Sequence, residues 1–188
     1  MQLFETGRWP SIYDKESLAT AIRQIIDAGP EFDSRFYQLG LSAGGVACQG
    51  DVVQLRGPAP LIDADGQAVV TDVEFDHWLI LGNTCDMDRV DEPRSLIAPL
   101  VVVDEPISVE RMGVLRRYEY YKQFYVPPWP NDQDRKHRLA DFMQLVTIEK
   151  AAFRDDCARV VARLQLPAWA LLHACVVRYL ARDDGRFD

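Results

Sequence analysis

The chain has 188 residues, of which 48% are hydrophobic, 27% charged and 22 are Gly or Pro, a profile that excludes collagen-like, low-complexity and wholly disordered classes. A chain this long can bury a core without disulfides or a structural metal. Its 21 basic and 29 acidic side chains leave a net charge of -8, which argues against a protein that coats nucleic acid, because phosphate binding draws its affinity from a basic surface.

The start, Met1 to Glu5, lacks a basic region followed by an apolar run, so neither a secretory signal nor a transit peptide is expected and the expected location is cytoplasmic. No apolar run approaches the ~20 residues of a membrane helix, so no membrane association is expected. Cys48, Cys85, Cys157 and Cys175 lie 37, 72 and 18 residues apart without zinc-finger spacing, which predicts a reduced, zinc-free chain.

Leu18, Ile22, Ile25 and Ile26 share one face of a helix expected over Ser17 to Asp27 and ended by Gly29-Pro30. Glu31 to Gly50 reads as an irregular connection. Asp51 to Leu55 is a strand stopping at Gly57-Pro58, and Asp63-Ala-Asp-Gly66 is a hairpin turn before a return strand over Gln67 to Val73. That turn also resembles the start of an EF-hand loop, but the glycine needed at its sixth position is Ala68. Phe75 to Leu81 and Leu96 to Val103 are further strands, separated by a polar loop, Gly82 to Ser95, too long for a tight turn.

A short helix is expected between Ser108 and Lys122, an extended Phe124 to Val126, a solvent-exposed connector from Asn131 to Arg138, and strands at Phe142 to Ile148 and Arg159 to Leu164. Pro167 opens a last helix whose buried stripe is Leu171, Leu172, Cys175, Val176, Tyr179 and Leu180. The whole reads as one α+β domain: a helical extension over 1–49, a strand-rich core over 50–164 and a C-terminal helix over 165–188. Residues 1–130 hold 11 basic and 20 acidic side chains, a net of -9, and residues 131–188 hold 10 and 9, a net of +1.

Chemistry concentrates in Gly82 to Arg89. Cys85 is a candidate nucleophile with His77 as base and Asp86 or Asp88 orienting the ring, although the surrounding carboxylates disfavour a thiolate. Asp86, Asp88, Asp91 and Glu92 offer oxygen ligands for a hard divalent ion, but without the spacing of a calcium loop no metal is assigned. Asn83, Asp86, Asp88 and Arg89 are candidate binding groups. The structural alternative makes Thr84 and Asp86 caps for the loop's own amides and Cys85 an apolar plug. His173 and Cys175 point to different helix faces and read as core. Arg116 and Arg117, interleaved with Tyr118, Tyr120, Tyr121 and Lys122, form the kind of surface that grips single-stranded nucleic acid. No phosphate-loop, dinucleotide or nucleophile-elbow motif occurs, and no cofactor is expected.

The runs Gly50-Asp-Val-Val53, Trp78 to Thr84 and Ile97-Ala-Pro-Leu100 resemble the small SH3-like barrel of the MazF/PemK toxin family, over about a third of the chain. Gly50 to Arg182 is also similar to a broader set of bacterial and prophage-encoded proteins without assigned activity. The shared features are Thr84-Cys85-Asp86, Ala98-Pro99, Phe124 to Pro128, Asp141-Phe142 and Arg178 to Arg182. The toxin resemblance implies metal-independent RNA cleavage, with Arg56 as acid and stabiliser of the phosphorane and Thr84 as a phosphate contact. The chain departs from that pattern in the Cys-Asp insertion after Thr84, the terminal helices and the acidity near the RNA path, which repels phosphate. The leading expectation is therefore an accessory or interaction module of a mobile-element, toxin-antitoxin or phage-defence system, binding a protein partner with a basic surface. The endoribonuclease is the alternative.

Overall fold

The computed structural model describes residues 20, 23–24, 26–29, 32, 34–40, 47–62, 65–153 and 158–180, with the side chains of 56, 58–62 and 71–73 outside that description. It is a mixed α+β fold. The strands are β1 (Asp51–Ile62), β2 (Ala68–Ile80), β3 (Arg94–Val102), β4 (Gln123–Val126), β5 (Arg138–Asp141), β6 (Val146–Glu149) and β7 (Arg159–Arg163). The helices are α1 (Thr84–Met87), α2 (Val109–Arg116) and α3 (Leu166–Leu180). Of the expected N-terminal helix, Thr20, Arg23, Gln24, Ile26 and Asp27 are helical, and Gly29 stops it at φ +52°. Its remaining positions lie outside the described residues.

The strands form one antiparallel sheet, curled into a half-barrel, in the order β4-β5-β3-β2-β1-β7 with β6 also paired to β3. Where β1, β2 and β3 lie side by side, at Val52–Val53, Trp78–Ile80 and Ile97–Leu100, they are buried on both faces. Val52, Leu79, Ala98 and Leu100 point into the larger core with α3 residues Ala168, Leu171, Leu172 and Cys175. Their neighbours Val53, Trp78, Ile80 and Ile97 point the other way, under Val146, Ile148, Phe153 and Met87. Alternate residues of a strand face opposite sides, so runs such as Trp78 to Leu81 read as continuous hydrophobics.

β1 does not stop at Gly57-Pro58. Gln54 pairs with His77 and Gly57 with Phe75, so Leu55 and Arg56 together oppose Asp76 in a bulge, and the strand runs on through both prolines. It tolerates them because β7 covers β1 only from Asp51 to Gln54, leaving the rest as an edge that needs no outward donors. The single strand expected over Phe142 to Ile148 is broken for a related reason. β3 pairs with β6 through Arg94 to Ile97 and with β5 through Leu100 to Val102. Ala98 and Pro99 therefore face the five residues 141–145, and the surplus is taken up by a 3-10 turn, Phe142–Gln144, whose first amide-bearing turn is capped by the Asp141 carboxylate accepting from Met143 N at 2.9 Å.

The segment expected to be an irregular connection closes the open side of the half-barrel. Gln38 N donates to Arg163 O and Gln165 N to Phe36 O, both at 2.9 Å, which ties it to the β7 edge. On the other side the Phe36 ring stacks on Phe124 of β4 at 6.2 Å, and the Tyr37 hydroxyl donates to Pro127 O. Burial pushes the Tyr37 phenol well above its usual pKa, so it stays a donor.

The Asn131 to Arg138 connector is also not simply solvent-exposed: the Arg138 and Asp132 side chains are 3% and 5% exposed and bonded to each other, with the guanidinium 4.1 Å from the centre of the Trp129 ring. Leu180, expected in the buried stripe of α3, is 70% exposed at its end. Among the described residues no helix is long and apolar enough to cross a membrane.

Gly82 follows β2 at a close approach to β3, where a Cβ would lie 2.1 Å from Ser95 Oγ, a buried hydroxyl without a hydrogen-bond partner among the described residues. Gly82→Ala is expected to lower stability by about 1–3 kcal/mol through overpacking. Ser95→Ala, which removes an unsatisfied buried group, is expected to be neutral or stabilising and to restore part of the loss in the double variant. Urea midpoints of the four proteins check both; additive losses in the double variant would contradict the clash.

Candidate functional site

The most polar convergence of elements lies where the turn before β1, the loop after β2 and α3 meet. Gly50 adopts φ +84°, and its missing side chain leaves room for Trp169, whose Cδ1 would stand 3.2 Å from a Cβ. Asp51, with no exposed surface, accepts from Arg163 Nε at 2.6 Å and Nη2 at 2.7 Å and from Cys48 N at 2.8 Å. The bond to Asp51 holds the Arg163 guanidinium above its usual pKa. Burial raises the nearby Cys48 thiol, Arg163 pulls it down less strongly, and Asp51 and Asp88 add to the rise, so Cys48 stays protonated near neutrality.

Gln49 is the hub. Its backbone N donates to Thr84 Oγ1 at 3.0 Å and its Nε2 to Leu81 O at 2.7 Å. The amide oxygen is thereby turned to His173 Nε2 at 2.8 Å, which makes that ring nitrogen the protonated one. The His173 ring lies 4.1 Å from the Trp169 ring, and burial lowers its pKa.

The loop is a short helix clamped at its C-terminal end. Lys150 Nζ donates to Asp86 O at 2.5 Å and Arg89 O at 2.6 Å, adding a charged donor to the Asp86 carbonyl that already accepts from Arg89 N and tying the end of α1 to the residues after it. Arg89 Nη1 reaches Glu92 Oε1 at 3.0 Å and Asp86 Oδ1 at 3.4 Å, on the surface. Met87 seats the helix on the second core. Cys85, Asn83, Asp88 and Asp91 are exposed, and the Asn83 side chain makes no capping bond. Thr84 does not cap its own loop as expected, since its hydroxyl serves the distant Gln49 amide. Among the described residues no group of three or more His, Cys, Asp or Glu is placed to hold a metal.

The remaining candidates are scattered. Arg56 sits in the β1 bulge rather than in a loop, and its side chain lies outside the description. His77 rests against Trp129, ring centres 5.0 Å apart, and its pKa is lowered by burial and then by Arg138; Cys85 is not among the groups acting on it. Arg116 is exposed at the end of α2, while Arg117 pairs with Glu119 at 2.5 Å. Tyr118, 4% exposed, is a core residue at φ +53°, so the expected stacking surface of exposed aromatics is reduced to Tyr120 and the half-buried Tyr121. Phe124, Tyr125 and Trp129 are buried as well. Sequence reasoning missed Gln49 and Lys150, ordinary polar residues whose partners are 32 to 124 positions away. The Gly50-Asp51 pair was the one visible signal for this corner.

Comparison of the sequence with protein-family models and with curated proteins finds no match. The arrangement itself is a rigid polar corner presenting a loop of exposed Asn83, Cys85, Asp88 and Asp91, with its cations engaged internally.

His173 and His77 both have pKa values lowered from 6.5 in the folded chain. Between 6.5 and the folded values the unfolded state binds more protons, so stability is expected to be full above that window and lost as pH falls through it. His173→Gln, able to keep a donor on Gln49, is expected to flatten the slope of stability between pH 7 and 5, as read by urea midpoints; an unchanged slope would remove His173 from the account.

Proposed function

We propose that the protein is an accessory or protein-interaction module of a mobile-element, toxin-antitoxin or phage-defence system, built on an SH3-like barrel of PemK/MazF type. The observation that carries this reading is the condition of the loop from Gly82 to Glu92. Thr84 Oγ1 is taken by Gln49 N, Arg89 by Asp86 and Glu92, and Lys150 by two carbonyls, while Asp88 and Asp91 remain exposed without an ion-pair partner among the described residues. Such a surface repels phosphate and favours a basic protein partner. The raised Cys48 thiol, the packing of His77 on Trp129 and the lack, among the described residues, of three converging metal-ligating groups give no support to covalent or metal chemistry at this corner.

A metal-independent endoribonuclease is the second reading, favoured by one observation: Arg56 lies in a β-bulge, a device that re-aims side chains near active sites. In it Arg56 supplies the acid and charge stabilisation and Thr84 the phosphate contact. Expression of wild type and Arg56→Ala in cells, with growth and total RNA followed, separates the two. The expected outcome is unimpaired growth and intact RNA for both proteins. RNA cleavage by wild type that is lost in Arg56→Ala would replace the interaction-module reading with the ribonuclease.

A further inference from the structure

β1 and β2 outrun the rest of the sheet. β7 covers β1 only as far as Gln54, and β3 pairs with β2 only at Trp78, Leu79 and Ile80 before turning past Pro99 to β5. From Gly57 to Phe75 the two strands therefore form a two-stranded arm, with no other described strand on either edge. A two-stranded ribbon is marginally stable alone in water, and each unpaired edge is a template for another strand.

The two edges of the arm are not equivalent. β1 carries Pro58 and Pro60, which have no backbone N–H to offer. β2 has no proline between Ala68 and Phe75, so no amide donor is missing there, and its outer edge runs through a bulge in which Thr71 to Val73 together oppose Ala59. Val69 and Val70 lie on it 38% and 67% exposed, and Glu74 is exposed. Residues 57–76 contain five carboxylates, Asp63, Asp65, Asp72, Glu74 and Asp76, and no Lys, Arg or His. A second copy would bring five like charges against these five. A basic strand would bring complementary ones.

We propose that the outer edge of β2 from Ala68 to Phe75 is a docking site for an extended, lysine- or arginine-bearing segment of a partner protein, added to the arm as a further strand. Backbone pairing supplies the affinity, Val69 and Val70 give contacts for its apolar residues, and the acidic arm sets its charge. The inference rests on the interaction-module reading and names the element that the module uses.

The test is backbone amide exchange of the full chain with and without a nine-residue peptide alternating lysine and valine. The amides of Ala68 to Phe75 that face away from β1, on either side of the bulge at Thr71 to Val73, are expected to exchange at least tenfold more slowly with the peptide bound. A glutamate-valine peptide and a lysine-valine peptide interrupted by two prolines are expected to have no effect. Glu74→Lys, at an exposed position, is expected to weaken binding roughly tenfold at low salt with an unchanged melting curve. Absence of protection in the arm overturns the proposal, as does protection by the glutamate peptide. Protection confined to other residues assigns the basic segment elsewhere and overturns the arm while leaving the interaction module standing. Concentration-dependent protection of the same amides without peptide makes a second copy the occupant and also overturns it. RNA cleavage in the expression experiment instead removes the module reading itself.

Discussion

A carboxylate with no contact with water, gripped by two nitrogens of an arginine 112 residues later, is the constraint on which the fold depends. Removing Asp51 from solvent is costly, and the cost is offset only by bonds of good geometry from several sides. Arg163 and Cys48 N provide them, and in doing so fix where β7 lies against β1. The left-handed Gly50 then brings the chain close enough for Trp169 to cover the turn, which seats the first turns of α3. Gln49, one residue earlier, is left between the loop and the helix and joins Thr84, Leu81 and His173. The exposed loop thus inherits its position from a pair that is itself buried.

The parts of this arrangement that obey local rules were readable in the sequence. Asp65-Gly66 marked the hairpin, Pro167 opened α3, and the apolar run from Trp78 to Leu81 announced a doubly buried strand. What escaped was set by partners distant in the chain. Gly57-Pro58 is a stop signal for a strand judged alone, yet β1 continues because β2 is paired to it and no other described strand needs its outer donors. Arg138 and Asp132 look like surface residues until Trp129 and the β5 edge enclose them. Tyr118 belongs to a run of aromatics and cations that suggests an exposed platform, but its left-handed backbone turns it into the core beside Phe124 and Tyr125. At the candidate site, the residue types of the loop were legible and their engagement was not, because Thr84, Asp86 and Arg89 are satisfied by Gln49 and Lys150 across the fold.

Electrostatically the chain neutralises itself where it is packed and leaves its acidity at the margins. Several buried or half-buried cations are held by acceptors within the chain: Arg138 by Asp132, Arg163 by Asp51, Lys136 by Glu105 and Lys150 by the carbonyls at the end of α1. Asp88 and Asp91 of the loop and Glu74 of the arm are exposed.

The seal formed by Phe36, Tyr37 and Gln38 has a consequence for the order in which the chain assembles. During synthesis these residues emerge early, yet the edges they close belong to β4 and to β7 with Leu164, more than a hundred residues later in the second case. Until β7 has left the ribosome, the half-barrel has neither its last strand nor its Asp51 partner, and the segment at positions 36 to 38 lacks its backbone bonds to Arg163 and Gln165. Loop closures of this length carry a large entropic debt before any contact rewards them. Aromatic residues made early thus gain their last contacts late, and the nascent barrel stays open along one side until the final strand arrives.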